Sequence, residues 1–130
     1  MRVIVADDKD EVRSALRLLL DHEDQVAEVG EAVDAEGLLE AVKTLAPDLV
    51  LVGWELPGMA PASLVAELRN LRAGLRVVVL SGRPEAKAAA RSAGVDGFVS
   101  KNESPERLIG LLRQGGVAGG SGLTRERETW

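Results

Sequence analysis

The segment PDLVLVGWELPGM, residues 47–59, carries the clearest structural signal in the chain. Its apolar run at residues 49–52 is too short for a helix and lies between a proline and a Pro-Gly pair, a pattern typical of a strand buried on both faces. Such a strand belongs at the centre of a parallel sheet. Because functional groups gather at the carboxyl edge of open parallel sheets, Gly53 stands where a reactive side chain is expected.

Strand-like and helix-like segments alternate on both sides of this central strand. Short apolar runs at residues 2–6, 25–32, 76–81 and 95–100 predict four more strands, and each strand is followed by a stretch with helical spacing of apolar residues. Right-handed crossovers then place helices on both faces of the sheet. The sequence predicts a doubly wound α/β fold with a five-stranded parallel sheet in the order 2-1-3-4-5.

The predicted fourth and fifth helices have distinct signals. The fourth opens at Pro84, is rich in alanine and ends at Gly94, a residue suited to a left-handed cap. Alanine buries little apolar area, so we expect this helix to be held weakly against the sheet and to be able to move. Ser104 is predicted to cap the fifth helix, with Pro105 in its first turn.

The composition suits one domain and excludes several classes of site. The 130 residues are 45% hydrophobic and include no cysteine, which leaves neither disulfides nor thiolate metal ligands. No apolar run approaches the roughly 18 residues of a membrane span, and the amino terminus lacks a signal-peptide core, so we expect a cytoplasmic protein with no membrane partner. A net charge of −5 and 2% aromatic residues argue against direct nucleic-acid binding by this segment.

The composition changes near residue 114. The following GGVAGGSG lacks the preceding strand and the lysine of a phosphate-binding loop, which favours a flexible linker over a nucleotide site. The predicted organisation is a domain at residues 1–114 and a glycine-rich linker and tail at residues 115–130.

Several chemically active groups are predicted to meet at the carboxyl edge of the sheet. The ends of strands 1, 3, 4 and 5 adjoin there, and they carry Asp7 with Asp8, Gly53, Ser81 and Lys101. Singly, each has a plainer explanation, because acids cap helices, a serine closes a turn and a lysine is usually solvated. Their placement at successive strand ends favours a joint site.

Over residues 1–114 this arrangement resembles the receiver domains of bacterial two-component response regulators. The resemblance implies a role for each position: Asp7 and Asp8 as the acidic pair that binds Mg²⁺, Ser81 as the hydroxyl that contacts the phosphoryl group, Phe98 as the aromatic switch position, and Lys101 as the phosphoryl-contacting lysine. The segment PDLVLV followed by LPGM matches the phosphorylation strand, and it places Gly53 where the family has the aspartate that accepts phosphate from a histidine kinase.

The glycine removes both a nucleophile and a metal ligand from the expected site. The resemblance implies that Mg²⁺ would be held by the acidic pair, the missing aspartate and the backbone carbonyl of Glu55, so Mg²⁺ should bind weakly or not at all. Lys101 is then expected to pair with Asp7 or Asp8. The side chain of Glu55 is expected to point outward as in the family, the alternative being that it folds back into the gap.

The tail carries a second, shorter resemblance. LTRERE at residues 123–128 resembles the opening of the DNA-binding domain of LuxR-type regulators, which implies that DNA would be bound only through a C-terminal domain missing from this chain. Two other interpretations stay open: a stand-alone receiver with a remnant tail, and a charged, solvated terminus.

These observations predict a signalling module and no enzyme. We expect a receiver of a LuxR-type regulator that cannot accept phosphate at Gly53 and controls transcription through contacts with a histidine kinase or another signalling protein, or as a homodimer. The fourth helix, the last strand with Phe98 and the fifth helix form its predicted output surface. Two alternatives remain: an ordinary phospho-accepting receiver whose aspartate was replaced at position 53, and a small α/β enzyme using Asp7, Asp8 and Lys101 on a phosphoester.

Overall fold

A computed structural model describes residues 1–102 and 105–117, with side chains up to residue 113. Strands and helices alternate along this part of the chain, as the sequence predicts. In order they are β1 Arg2–Ala6, α1 Asp10–Asp21, β2 Glu28–Ala32, α2 Ala35–Leu45, β3 Leu49–Gly53, α3 Pro61–Leu71, β4 Arg76–Ser81, α4 Ala86–Ser92, β5 Gly97–Ser100 and α5 Pro105–Val117.

The strands form one parallel sheet in the order β2-β1-β3-β4-β5, which confirms the predicted doubly wound topology. All residues of β3 are buried, as expected for a central strand covered on both faces. One buried cluster joins the sheet to α2, α3 and α4, and a second joins it to α1 and α5. The sheet therefore separates two apolar cores and presents its strand ends at two edges.

Local signals set most helix starts. Asp34 caps α2 by accepting a hydrogen bond of 2.7 Å from the amide of Gly37, and Pro61 stands at the start of α3. The left-handed backbone at Gly94, with φ of 85°, follows α4 as predicted. Helix α4 has seven residues, and its buried side chains are Ala86 and Ala90, which agrees with the expected thin contact.

Some predicted boundaries are wrong. Helix α4 begins at Ala86 and not at Pro84, because residues 83–87 form tight turns in which the Ala86 amide bonds the Arg83 carbonyl at 3.0 Å. Strand β2 begins at Glu28 and not at residue 25. Strand β5 begins at Gly97 and not at residue 95, because the carboxylate of the preceding Asp96 accepts the amide of Val77.

Helix α5 runs to Val117, so the predicted boundary at residue 114 falls inside it. A glycine in a helix interior costs only about 1 kcal/mol relative to alanine, which a helix already formed can tolerate. The predicted cap at Ser104 and the tail beyond residue 117 lie outside the described residues. Among the described helices, none has the length and apolar character needed to cross a membrane.

Candidate functional site

The carboxyl ends of four neighbouring strands bring the predicted residues together. Ala6 of β1 is paired with Val52 of β3, and Ser81 of β4 is paired with Ser100 of β5. The residues that follow these strand ends therefore share one edge of the sheet. A backbone hydrogen bond of 2.9 Å from the Lys101 amide to the Ser81 carbonyl closes the β4 and β5 side of this crevice.

Asp7 is the buried acid of the crevice. Its side chain is 2% exposed, Oδ1 accepts the amide of Lys9 at 2.9 Å, and Oδ2 accepts the ammonium group of Lys101 at 2.8 Å. Both carboxylate oxygens therefore have protein donors. The prediction that Lys101 pairs with one of the two acids is confirmed, with Asp7 as the partner.

Because Gly53 has no side chain, the Asp7 carboxylate occupies the space beside it. A Cβ atom at residue 53 would lie 2.7 Å from Asp7 Oδ2, closer than real contacts allow, and 3.4 Å from its Cγ. The backbone of Gly53 is not in the left-handed region, so its conformation does not require glycine. The constraint is steric: a side chain at residue 53 requires the carboxylate of Asp7, the partner of Lys101, to shift.

The predicted metal ligands fit an ion poorly as they stand. Asp8 is exposed and hydrogen-bonds to no described residue, while Asp7 is engaged by Lys101. Within residues 1–102 and 105–117, no group of three or more His, Cys, Asp or Glu side chains is arranged to hold a metal ion. A cation at Asp7 would have to compete with the ammonium group of Lys101 for the same carboxylate. The weakened Mg²⁺ site formed by Asp7, Asp8 and the Glu55 carbonyl stays a prediction.

The Glu55 side chain is exposed, as expected, but its carboxylate also contacts a residue of the crevice. Its carboxylate turns toward the neighbouring strand, where Oε2 accepts a hydrogen bond of 3.0 Å from the hydroxyl of the fully buried Ser81. A tight turn in which the Leu56 amide bonds the Gly53 carbonyl at 3.1 Å folds the chain back over the strand end. The sequence signal for this contact is the position of Glu55 two residues after β3, together with Ser81 at the end of the neighbouring strand β4.

The side chain of Phe98 lies in the core and not on the predicted output surface. It is 4% exposed and belongs to the buried cluster that also contains Ala86 and Ala90 of α4. Trp54, which follows Gly53, is partly buried and packs against the same cluster. The assignment of Phe98 to an exposed surface is therefore corrected, and its role as a switch position stays a prediction.

The loop from β4 to α4 carries a further charged pair. Arg83 Nε donates to the carboxylate of Glu85 at 3.2 Å, and both side chains are well exposed. The backbone amide of Glu85 and the guanidinium of Arg83 hold the pKa of the Glu85 carboxyl below its usual value. Pairs of this kind contribute little to stability, so this contact orients the loop only weakly.

Sequence reasoning missed a second buried aspartate, at the opposite edge of the sheet. Asp96 is 6% exposed, and its Oδ2 accepts the amide of Val77 at 2.8 Å and the guanidinium of Arg69 at 2.8 Å. Arg69 also donates to the carbonyls of Leu75 and Gly94. This cluster ties α3 to β4 and β5. Its only sequence signal is an acid placed just before the apolar residues of β5.

Comparison with known proteins identifies the family. Residues 3–113 match the response regulator receiver domain. Among curated relatives, the nitrate/nitrite response regulator NarL of Escherichia coli K12 is 31% identical over 114 residues, covering 86% of this chain and 53% of that protein. The fimbriae Z protein of Salmonella typhimurium is 32% identical over 113 residues, covering 85% and 54%. The chain spans about half the length of the curated relatives it matches.

Comparison with solved structures also finds response regulators and receiver domains. A LuxR-family two-component response regulator from Aurantimonas has a TM-score of 0.78 at 27% identity, covering 86% of this chain and 81% of that one. RcsB from Salmonella enterica serovar Typhimurium, solved bound to promoter rprA with the phosphomimetic BeF₃⁻, has a TM-score of 0.78 at 25% identity, covering 87% and 66%. A CheY-like receiver domain from Methanospirillum hungatei shares the fold, with a TM-score of 0.77 at 21% identity over 99% of this chain and 98% of that one. The chain therefore belongs to the response regulator receiver domain family, and it is similar to the receiver domains of NarL and of LuxR-family regulators.

Proposed function

We propose that this receiver takes no phosphoryl group at position 53 and signals through protein contacts. One observation carries the proposal: Gly53 supplies no nucleophile, and the Asp7 carboxylate fills the space that an acceptor side chain would need, 2.7 Å from the Cβ position. A carboxylate at this position is the group that would attack phosphorus, and Val52 and Trp54 carry no side-chain oxygen to replace it. The pairing of Lys101 with Asp7 supports the same view, because the lysine already has an anionic partner.

The proposed role is regulatory and not catalytic. The partners we propose are a histidine kinase or another signalling protein, with a second copy of the chain as the route to a homodimer. Control of transcription would require a DNA-binding domain beyond this chain; the similar protein RcsB was solved bound to promoter rprA. The net charge of −5 supports the assignment of DNA binding to another domain, since a phosphate backbone is bound by basic surfaces.

Phosphotransfer from acetyl phosphate in the presence of Mg²⁺ tests the proposal. We expect the intact mass of the protein to be unchanged after incubation, because no acceptor carboxylate is present. The Gly53→Asp variant is the matched control, since it restores the carboxylate at the same strand end. An added phosphoryl mass on the unmodified protein, mapped by peptide analysis to Glu55 or Asp8, contradicts the proposal.

A further inference from the structure

A continuous path of hydrogen bonds connects Glu55 to the start of α4. The buried hydroxyl of Ser81 donates to Glu55 Oε2 at 3.0 Å and accepts the amide of Arg83 at 3.1 Å. The carbonyl of Arg83 in turn accepts the amide of Ala86, the first residue of α4, at 3.0 Å. Three hydrogen bonds thus join the segment after β3 to the first turn of α4.

Because the Ser81 hydroxyl is buried, the hydrogen-bond path depends on the Glu55 carboxylate that accepts from it. Ser81 is 0% exposed, whereas Glu55, the residue that supplies the acceptor, lies at the surface. A buried donor left without an acceptor is costly, and hydrogen bonds in a chain strengthen one another. Removal of the carboxylate should therefore weaken the Ser81 contact with the Arg83 amide as well.

The weak apolar anchoring of α4 increases the importance of the polar path. The buried side chains of α4 are the two alanines Ala86 and Ala90, which bury little apolar area. The helix has only seven residues and is too short to be stable by itself. The position of its first turn therefore depends on the loop that precedes it, and that loop is held through Ser81.

We propose that the Glu55 carboxylate is a built-in substitute for a transferred phosphoryl group, which engages the Ser81 hydroxyl permanently and so holds the start of α4 in one position. Glu55 is a positioning residue in this scheme, because it acts on α4 through Ser81. The inference rests on the proposed function, since a hydrogen-bond acceptor supplied by the chain itself is needed only where no phosphoryl group is transferred to position 53. The state of α4 is then set by the sequence and not by phosphorylation.

Amide hydrogen exchange of the whole chain, followed by NMR without any phosphodonor, tests this device. We expect Glu55→Ala to accelerate exchange at the amides of Arg83 and Ala86 by about 5- to 10-fold, which corresponds to about 1–1.4 kcal/mol. Ser81→Ala should produce the same acceleration. The double variant should add nothing further, because both changes break one path.

Two further variants separate positioning from charge. Glu55→Gln keeps an acceptor oxygen for the Ser81 hydroxyl and should restore rates close to those of the unmodified protein. Glu85→Gln removes one charge from the same loop without a contact to Ser81, so the amides of Arg83 and Ala86 should exchange as before. The amide of Leu51 in the central strand reports global unfolding and should not change in Glu55→Ala.

Each contrary result is decisive. Unchanged rates at Arg83 and Ala86 in Glu55→Ala, an additive effect in the double variant, or an equal acceleration at Leu51 overturns the inference. Phosphate uptake by the unmodified protein overturns the proposed function and leaves the exchange result intact, so the two failures are distinguishable.

Discussion

The two edges of the sheet each hold one buried aspartate paired with a basic side chain at 2.8 Å, yet the two pairs differ in their surroundings. At the amino edge, Asp96 also accepts the buried amide of Val77, and its partner Arg69 bonds two backbone carbonyls. At the carboxyl edge, Asp7 lies against Gly53, and its lysine partner is 24% exposed.

The difference shows that a similar ion pair can serve two purposes. The guanidinium of Arg69 is a planar fork that bonds several acceptors at once and fixes three segments of chain, whereas the ammonium of Lys101 is a point charge on a flexible stem. The amino-edge pair is therefore structural. The carboxyl-edge pair fills a crevice and retains the freedom to rearrange.

The largest expected effect comes from breaking the amino-edge pair. Asp96→Ala should lower the free energy of unfolding by about 3–5 kcal/mol, because it removes the acceptor of the buried Val77 amide and the carboxylate that pairs with the Arg69 charge. Urea unfolding followed by circular dichroism measures the change. Asp8→Ala is the matched control, since the side chain of this exposed aspartate makes no hydrogen bond or ion pair with a described residue, and the loss should be below about 0.5 kcal/mol. A loss below about 1 kcal/mol for Asp96→Ala contradicts the structural role.

A smaller effect is expected at the carboxyl edge when Gly53→Asp forces the two acids together. Without divalent metal, the new carboxylate should lower the free energy of unfolding by about 2–3 kcal/mol, from like-charge repulsion at an effective dielectric of about 20, before Lys101 offsets part of it. The displacement of Asp7 required by the 2.7 Å approach acts in the same direction. Without Mg²⁺ the Gly53→Asp variant should melt at a lower temperature than the unmodified protein. Added Mg²⁺ should make the variant melt at the higher temperature, because the ion binds its folded state.

The Gly53→Ala variant separates the steric displacement of Asp7 from the repulsion caused by an added carboxylate. The alanine Cβ meets the same 2.7 Å contact with Asp7 but adds no carboxylate, so this variant should also melt lower and should not respond to Mg²⁺. Equal melting temperatures of Gly53→Asp with and without Mg²⁺ would show that the carboxylates do not converge at the crevice.

The smallest expected effect is the response of the unmodified protein to Mg²⁺. In a Trp130→Phe background, where Trp54 is the one remaining tryptophan, titration to about 5 mM Mg²⁺ should leave the emission nearly flat, because Mg²⁺ sheds water only for well-placed ligands. Gly53→Asp should give a saturable change that Asp8→Ala abolishes. A saturable response of the Gly53 protein that disappears in Asp8→Ala would mean that the glycine has not disabled the site.

Much of the fold was predictable because its signals are local. The apolar run of β3, the cap at Asp34 and the proline that starts α3 each act within a few residues, and the structure has all three where the sequence predicts them. The error at the start of β5 has a distant cause, unlike the local turns at residues 83–87 that delay α4. Strand β5 starts late because the Asp96 carboxylate takes the amide of Val77, which is 19 residues away in the chain.

The sequence by itself determined the alternating strands and helices, the sheet order and the convergence of Asp7, Gly53, Ser81 and Lys101 on one edge, because hydrophobic period and right-handed crossovers constrain these strongly. Only the tertiary structure decided which acid Lys101 pairs with and where the Glu55 carboxylate turns. Both depend on side-chain packing across strands far apart in the chain. No periodicity in the sequence encodes those distances, and the room beside Gly53 exists only once β1 and β3 are paired.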